Sequence, residues 1–113
     1  MINIFLDDER ETPRNFLRTL DVQTTINFMK NLNGYIDILS LDNDLGVGMD
    51  EGRNVVYWLC ATSFNGLNYW PRRIRIHSAN PVARDYMKGM IERYASCYYW
   101  DATNQEYVDD SRM

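Results

Sequence analysis

The chain of 113 residues is poor in the residues that build covalent scaffolds and soft metal sites, with two cysteines, three prolines and one histidine. Cys60 and Cys97 have no metal-ligand spacing, and two cysteines are too few for a disulfide scaffold. Cys60 falls in an apolar helical pattern and Cys97 in an aromatic stretch, so both are expected as reduced, buried thiols of a cytosolic protein. No apolar run reaches the length of a bilayer span, and Met1 leads straight into the first apolar run without the basic-then-apolar layout of a signal peptide. No membrane partner is therefore expected. Positive charge is not in excess either: 12 Lys and Arg against 16 Asp and Glu give a net charge of −4. That balance removes any global attraction for nucleic acid or anionic lipid, so phosphate recognition has to be local. Repeats, linkers and low-complexity tracts are absent. The expected location is the cytoplasm. Abundant Asn, Tyr and Met are typical of AT-rich genomes, including those of many phages, and a phage protein would work in its host's cytoplasm.

Hydrophobic residues make up 45% of the chain, enough for one packed domain over residues 1–113. Its core is expected over residues 2–94, with 95–113 as a tail or hairpin. Three short apolar runs each end in a cluster of chemically capable side chains. Ile2-Asn3-Ile4-Phe5-Leu6 runs into Asp7-Asp8-Glu9-Arg10. Ile36-Asp37-Ile38-Leu39-Ser40-Leu41 runs into Asp42-Asn43-Asp44-Leu45-Gly46, and Ile74-Arg75-Ile76 into His77-Ser78-Ala79-Asn80-Pro81. In an open parallel α/β sheet the carboxyl ends of the strands share one edge, where ligands bind. Parallel pairing of these runs would bring the acids, the histidine and the serine to one place.

The pattern between the runs supports such a sheet. Phe16 to Leu20 reads as a short strand, and Asp21 as the cap of a helix carrying Val22, Ile26, Met29 and Leu32 until Gly34. Residues 36–41 are apolar on both faces, as a central parallel strand should be. From Gly52 a helix with Val55, Val56, Leu59 and Cys60 runs to about Asn65-Gly66. Residues 72–77 form the next strand, then Asn80 caps a helix with Pro81 at its first position and Val82, Tyr86, Met90 and Tyr94 along one side. Residues 97–101 and 105–108 read as a hairpin. Arg75 inside a strand is expected to be solvated, either because that strand lies at or near the sheet edge or because one sheet face lacks a helix. The short run Arg72-Arg73-Ile74-Arg75 reads as a solvated strand start, and Trp58, Trp70 and Trp100 as core or rim aromatics.

Asp7, Asp8 and Asp42 supply the oxygen-rich set that Mg²⁺ prefers, and three clustered carboxylates call for a cation. The run from Asp42 to Gly46 is no EF-hand, because its glycine comes one position early and Arg53 stands where the bidentate glutamate belongs. After the third run, the helix N-terminus offers free N–H groups and a favourable dipole to an anion. Ser78 and Asn80 can hold a phosphoryl oxygen there and Arg84 can pair with one. His77 is the candidate acid or base. Adjacent Ser78 and His77 project in opposite directions on a strand, so they make no catalytic triad.

Together these motifs resemble the response-regulator receiver domain, and more closely its compact relative, the cyclic-phosphate processing receiver-like family. Receivers carry an acidic pair after the first strand, an aspartate after the third and Ser/Thr-Ala after the fourth, matched here by Asp7-Asp8, Asp42 and Ser78-Ala79. The compact family's motifs are matched by Asp7-Asp8-Glu9-Arg10 with Pro13, by Ser40-Leu41-Asp42-Asn43-Asp44-Leu45-Gly46 and by His77-Ser78-Ala79-Asn80. The likeness covers roughly residues 2–94. It implies a single flavodoxin-like, three-layer α/β domain with a mostly parallel sheet of four or five strands, ordered 2-1-3-4.

For function, the resemblance implies a Mg²⁺ site at Asp7, Asp8 and Asp42, with Asp42 also a candidate transient nucleophile and Arg10 among the phosphate-binding residues. The implied activity is a metal-dependent phosphoesterase acting on a cyclic or terminal phosphate of a nucleotide or RNA. Two departures, a missing first helix and the lack of any lysine after Lys88, speak against ordinary phosphorelay signalling. The competing expectation is a non-catalytic module that binds a protein, a host factor in the phage case, through Tyr98-Tyr99-Trp100 and Asp109-Asp110. An aspartyl-phosphate switch is a third.

Overall fold

The computed structural model describes residues 1–95 and 97–110. β1 (Ile2–Leu6) is followed by a loop and the short β2 (Leu17–Thr19). Asp21 caps α1 (Val22–Asn31), its carboxylate accepting the Thr24 N–H at 2.7 Å. β3 (Ile36–Leu41), α2 (Arg53–Phe64) and β4 (Arg73–Ile76) follow. Asn80 caps α3 (Pro81–Tyr94) by accepting the Ala83 N–H at 3.1 Å, with Pro81 starting the helix. The chain ends in a hairpin of β5 (Tyr98–Asp101) and β6 (Glu106–Asp109).

The six strands form one sheet in the order β2-β1-β3-β4-β6-β5. β2, β1, β3 and β4 are parallel, β6 runs antiparallel to β4, and β5 antiparallel to β6. The order expected for the first four strands holds, and the hairpin extends the sheet by two strands instead of the one allowed for.

The hand of the connections decides where the helices go. The crossovers β2-α1-β3 and β3-α2-β4 both step in the same direction along the sheet, and right-handed crossovers then place both helices on one face. α2 accordingly packs against α1 on one side and α3 on the other. The step from β1 to β2 goes the opposite way, so a helix there would cover the other face, but the connection is a loop. The flavodoxin-like order and direction are present while the third layer is not: among the described residues one face of the sheet carries no helix.

Side chains close that face instead. Phe5 meets the edge of Phe16 at 6.1 Å and stacks on His77 at 4.3 Å. Arg73 bridges Asp37 at 2.6 Å and Glu106 at 3.2 Å, and Arg75 reaches Glu106 at 2.7 Å. Glu106 is only 1% exposed, and two guanidinium groups bond its carboxyl oxygens there. Arg75 is therefore a partly solvated residue of the helix-free face, as the sequence suggested.

On the covered face, Ile4, Leu6, Leu39, Leu41 and Ile74 of the sheet meet Val55, Val56 and Leu59 of α2 and Met87 and Ile91 of α3. α3 differs from its expected phase. Ala83, Met87 and Ile91 are buried, while Val82 and Tyr86 are exposed. With apolar residues on both sides of a helix, periodicity permits two phases, and packing against the sheet selects one. The tail aromatics are likewise built into the fold: Tyr98 meets Trp70 edge-on, and Trp100 packs on Tyr107. Cys60 is buried and Cys97 half-buried, and both are free thiols.

Candidate functional site

Parallel register places the three motif-bearing strand ends level. Leu6 pairs with Leu41 and Leu41 with Ile76, so the next residues, Asp7, Asp42 and His77, stand side by side at one edge. The ladder continues into them: the Asp42 N–H donates to the Leu6 carbonyl and the His77 N–H to the Leu41 carbonyl, each at 3.0 Å.

Asp7 is fully buried and is the hub of the edge. Its Oδ1 accepts the backbone N–H groups of Glu9 at 2.8 Å and Arg10 at 2.9 Å. Its Oδ2 faces His77 Nε2 at 3.0 Å and Arg10 Nη1 at 3.4 Å. Burial pushes this carboxyl up, but the two backbone donors and His77 outweigh it and hold Asp7 below the ordinary aspartate range. Asp42 is pushed the other way, upward, by burial and by the nearby negative charge of Asp7, against the Asn43 N–H that favours its charged form.

Asp7, Asp8 and Asp42 each bring one oxygen within 4.8 Å of the others. Two oxygens bound at about 2.1 Å to one Mg²⁺ lie at most about 4.2 Å apart. A small inward movement therefore closes the set, and its all-oxygen chemistry fits that ion. Asp7 has spent most of its acceptor capacity on protein donors. Asp8 and Asp42 are the less committed oxygens.

These acids line an open cleft of about 510 Å³ together with Arg10, Asp44, Glu51 and an apolar lip that includes Leu45, Val47 and Met49. Arg10 Nη1 lies 4.0 Å from Asp42 as well as near Asp7, and it also bonds the His77 carbonyl. Its guanidinium tempers the negative charge and is the one cation among the described residues lining the cleft.

The other predicted residues divide. His77 stands beside the acids, but its ring is fully engaged, with Nε2 on Asp7 and Nδ1 on the Ser40 hydroxyl at 2.7 Å. A carboxylate only accepts, so Nε2 carries the proton and Nδ1 accepts from Ser40. Burial holds the imidazole below its ordinary pKa, with Asp7 opposing, so it is the neutral ring that this chain of bonds fits. Ser78 is buried and its hydroxyl oxygen accepts the Asn80 N–H at 3.1 Å. Asn80 caps α3. Both build the turn, and Ala79 between them is what lines the cleft. Arg84 donates to the Ser78 carbonyl at 3.4 Å and lines a different cavity.

Sequence reasoning missed three contributors. Ser40 becomes part of the site only through register, which sets it opposite Phe5 and Arg75 and within reach of His77. Asn43 is buried and clamps the start of α2, its carbonyl accepting the Gly52 N–H at 2.8 Å and its side chain the Arg53 N–H at 3.1 Å. Gly52 is required by close approach, since a Cβ there would overlap the Asp42 carbonyl oxygen.

An acidic triad at the carboxyl edge of a mostly parallel sheet, beside a capped β4–α3 turn, defines a receiver-like α/β domain. The model of the cyclic-phosphate processing receiver domain matches residues 2–93, and the chain belongs to that family. No curated protein and no solved structure gives a significant match. No helix of the described residues is long and apolar enough to cross a membrane.

Proposed function

We propose that the cleft binds Mg²⁺ through Asp8 and Asp42, with Asp7 completing the set, and hydrolyses a cyclic or terminal phosphate of a nucleotide or RNA. The convergence of three carboxylates beside one arginine supports this reading: a phosphate enters so acidic a cleft only with a cation to receive it. The bound ion would polarise a phosphoryl oxygen and lower the pKa of a water. Arg10 would hold a second phosphoryl oxygen, and Asp42 would activate the water or attack phosphorus itself. His77 would act through Asp7 as a positioning residue, its tautomer set by Ser40. The apolar lip of Val47 and Met49 would lie against the rest of the substrate.

The test is turnover of 2′,3′-cyclic nucleotides, 3′,5′-cyclic nucleotides and RNA with a cyclic-phosphate end, each with Mg²⁺ or Mn²⁺. Asp8→Asn and Asp42→Asn should abolish turnover. His77→Ala and Ser40→Ala should weaken metal binding and turnover together by about 10–100-fold, as loss of a group that orients a ligand does. If His77→Ala lowers turnover alone and leaves metal affinity intact, His77 is an acid or base and the positioning role is wrong. If wild type turns over none of these substrates and a protein partner is retained through Tyr99 and Trp100, the domain is an interaction module.

A further inference from the structure

Arg84, which the sequence offers as a partner for a phosphoryl oxygen at the start of α3, lines a second cavity of about 210 Å³ with Ile76, Lys88, Trp100 and Gln105. This cavity lies on the same functional edge. β6 runs antiparallel to β4, so the hairpin turn at 102–105 sits at the carboxyl end of β4, where His77 and Ser78 begin. The Ser78–Asn80 turn touches both cavities: Ala79 lines the acidic cleft, and Arg84, which lines the second cavity, donates to the Ser78 carbonyl. From the end of β3 to the end of β4's other neighbour is two strand spacings, roughly 10 Å at about 4.8 Å each.

The charge of this cavity is opposite to that of the cleft. It has no acidic lining residue, and neither Arg84 nor Lys88, one turn apart on α3, has an ion-pair partner among the described residues. Each cation has one contact that orients it, Arg84 from an exposed position and Lys88 from a half-buried one. Lys88 Nζ lies 4.5 Å from the centre of the Trp100 ring, and that ring packs on Tyr107 at 4.9 Å. Arg84 spends one nitrogen on the Ser78 carbonyl, which leaves further guanidinium donors for an anion. Lys88 already sits over the Trp100 ring and Tyr107 packs against it at a tilt, so what the cavity adds for a ligand is its two cations, which suit a phosphate group.

We propose that this cavity is a second phosphate subsite, holding a backbone phosphate of a single-stranded RNA whose terminal phosphate lies in the acidic cleft. The proposal rests on the phosphate-processing reading of the cleft and adds its substrate class: an RNA end instead of a free mononucleotide. An extended strand following the sheet edge crosses Ala79 between a metal-dependent site and a basic one.

The test compares a ribotrinucleotide ending in a 2′,3′-cyclic phosphate with the matching mononucleotide, titrated with Mg²⁺ into wild type and into Arg84→Gln/Lys88→Gln. Affinity is read from amide and indole NMR shifts, and the same spectra verify the fold. The wild type should bind the trinucleotide at least tenfold more tightly than the mononucleotide and shift the Trp100 indole signal. The double variant should lose that preference, flatten the trinucleotide's salt dependence by about 0.7, the slope for one phosphate on a single strand, and bind the mononucleotide as wild type does. Equal trinucleotide affinity and salt slope in wild type and variant, or no wild-type preference for the trinucleotide, would overturn the subsite. The two readings fail separately. Mononucleotide turnover without a trinucleotide preference sinks only the subsite, whereas trinucleotide binding that needs Arg84 and Lys88 without any turnover sinks only the catalytic reading.

Discussion

Gly52→Ala should damage the proposed metal site from outside the cleft. Besides overlapping the Asp42 carbonyl oxygen, the added methyl would lie 2.8 Å from the Asp42 carbonyl carbon and 3.1 Å from the Asn43 Cα. Carbon atoms at ease stand about 3.5–4.0 Å apart, so the start of α2 and the loop after β3 must separate by roughly an ångström. That movement stretches the Gly52 N–H bond to the Asn43 carbonyl from 2.8 Å and the Arg53 N–H bond to the Asn43 side chain from 3.1 Å. Overpacking costs about 1–3 kcal/mol and each of the two lost hydrogen bonds about 1 kcal/mol, for a total of about 3–5 kcal/mol. At roughly 4 °C per kcal/mol for a domain of this size, the melting temperature should fall by about 12–20 °C. Because Asn43 follows Asp42, the variant should also lose much of its stabilisation by Mg²⁺. Gly89→Ala is the control: a Cβ there meets nothing within 4 Å in the middle of α3, so alanine should stabilise by about 0.5–1 kcal/mol. Circular-dichroism melts with and without Mg²⁺ read both variants. A Gly52→Ala protein melting within about 2 °C of wild type would refute the close-approach argument, since no overpacking term would then be visible.

Three further outcomes are expected. Glu106→Gln keeps the shape of the buried carboxylate but removes its charge from between Arg73 and Arg75, and urea melts should show a loss of about 1–3 kcal/mol; an unchanged midpoint would mean that the ion pairs contribute nothing. His77 is held below its unfolded value of 6.5, so the unfolded chain takes up its proton first as pH falls. In metal-free buffer its contribution to stability should be full above that value and decline as pH drops below it, and His77→Gln should remove this part of the slope. The same nitrogens should report their bonding in ¹⁵N spectra: Nε2 protonated and Nδ1 bare near neutral pH, with Ser40→Ala blurring the distinction between tautomers.

Much of the edge was legible because it depends on local signals. Strand ends, the Asp21 and Asn80 caps and the order of the acidic motifs follow from side-chain chemistry within a few residues. A guanidinium inside a strand signals either an edge strand or an uncovered face, and since β4 lies between β3 and β6 it is the uncovered face that solvates Arg75. What stayed hidden depends on register and on packing phase. Ser40 acquires its role only when β3 and β4 are set level, and Asn43 only when α2 folds back onto the loop. Ser78 and Asn80 have the composition of phosphate donors, but Ser78 is buried in the turn while Asn80 caps α3 through Oδ1 and turns its Nδ2 to Asp44, and geometry alone separates the two uses. The third layer was expected from the general fold, although the loop between β1 and β2 already implied that one face would lack a helix.

The central claim is that Asp8 and Asp42, with Asp7 behind them, form one divalent-cation site at the sheet edge. Titration with Mn²⁺ while recording amide spectra tests it most directly, because the paramagnetic ion broadens the signals nearest to it. The account predicts that Asp8, Glu9, Asn43 and Ala79 fade first, that excess Mg²⁺ restores them, and that Asp8→Asn abolishes the effect. Fading that starts elsewhere, or none at millimolar Mn²⁺, would contradict it.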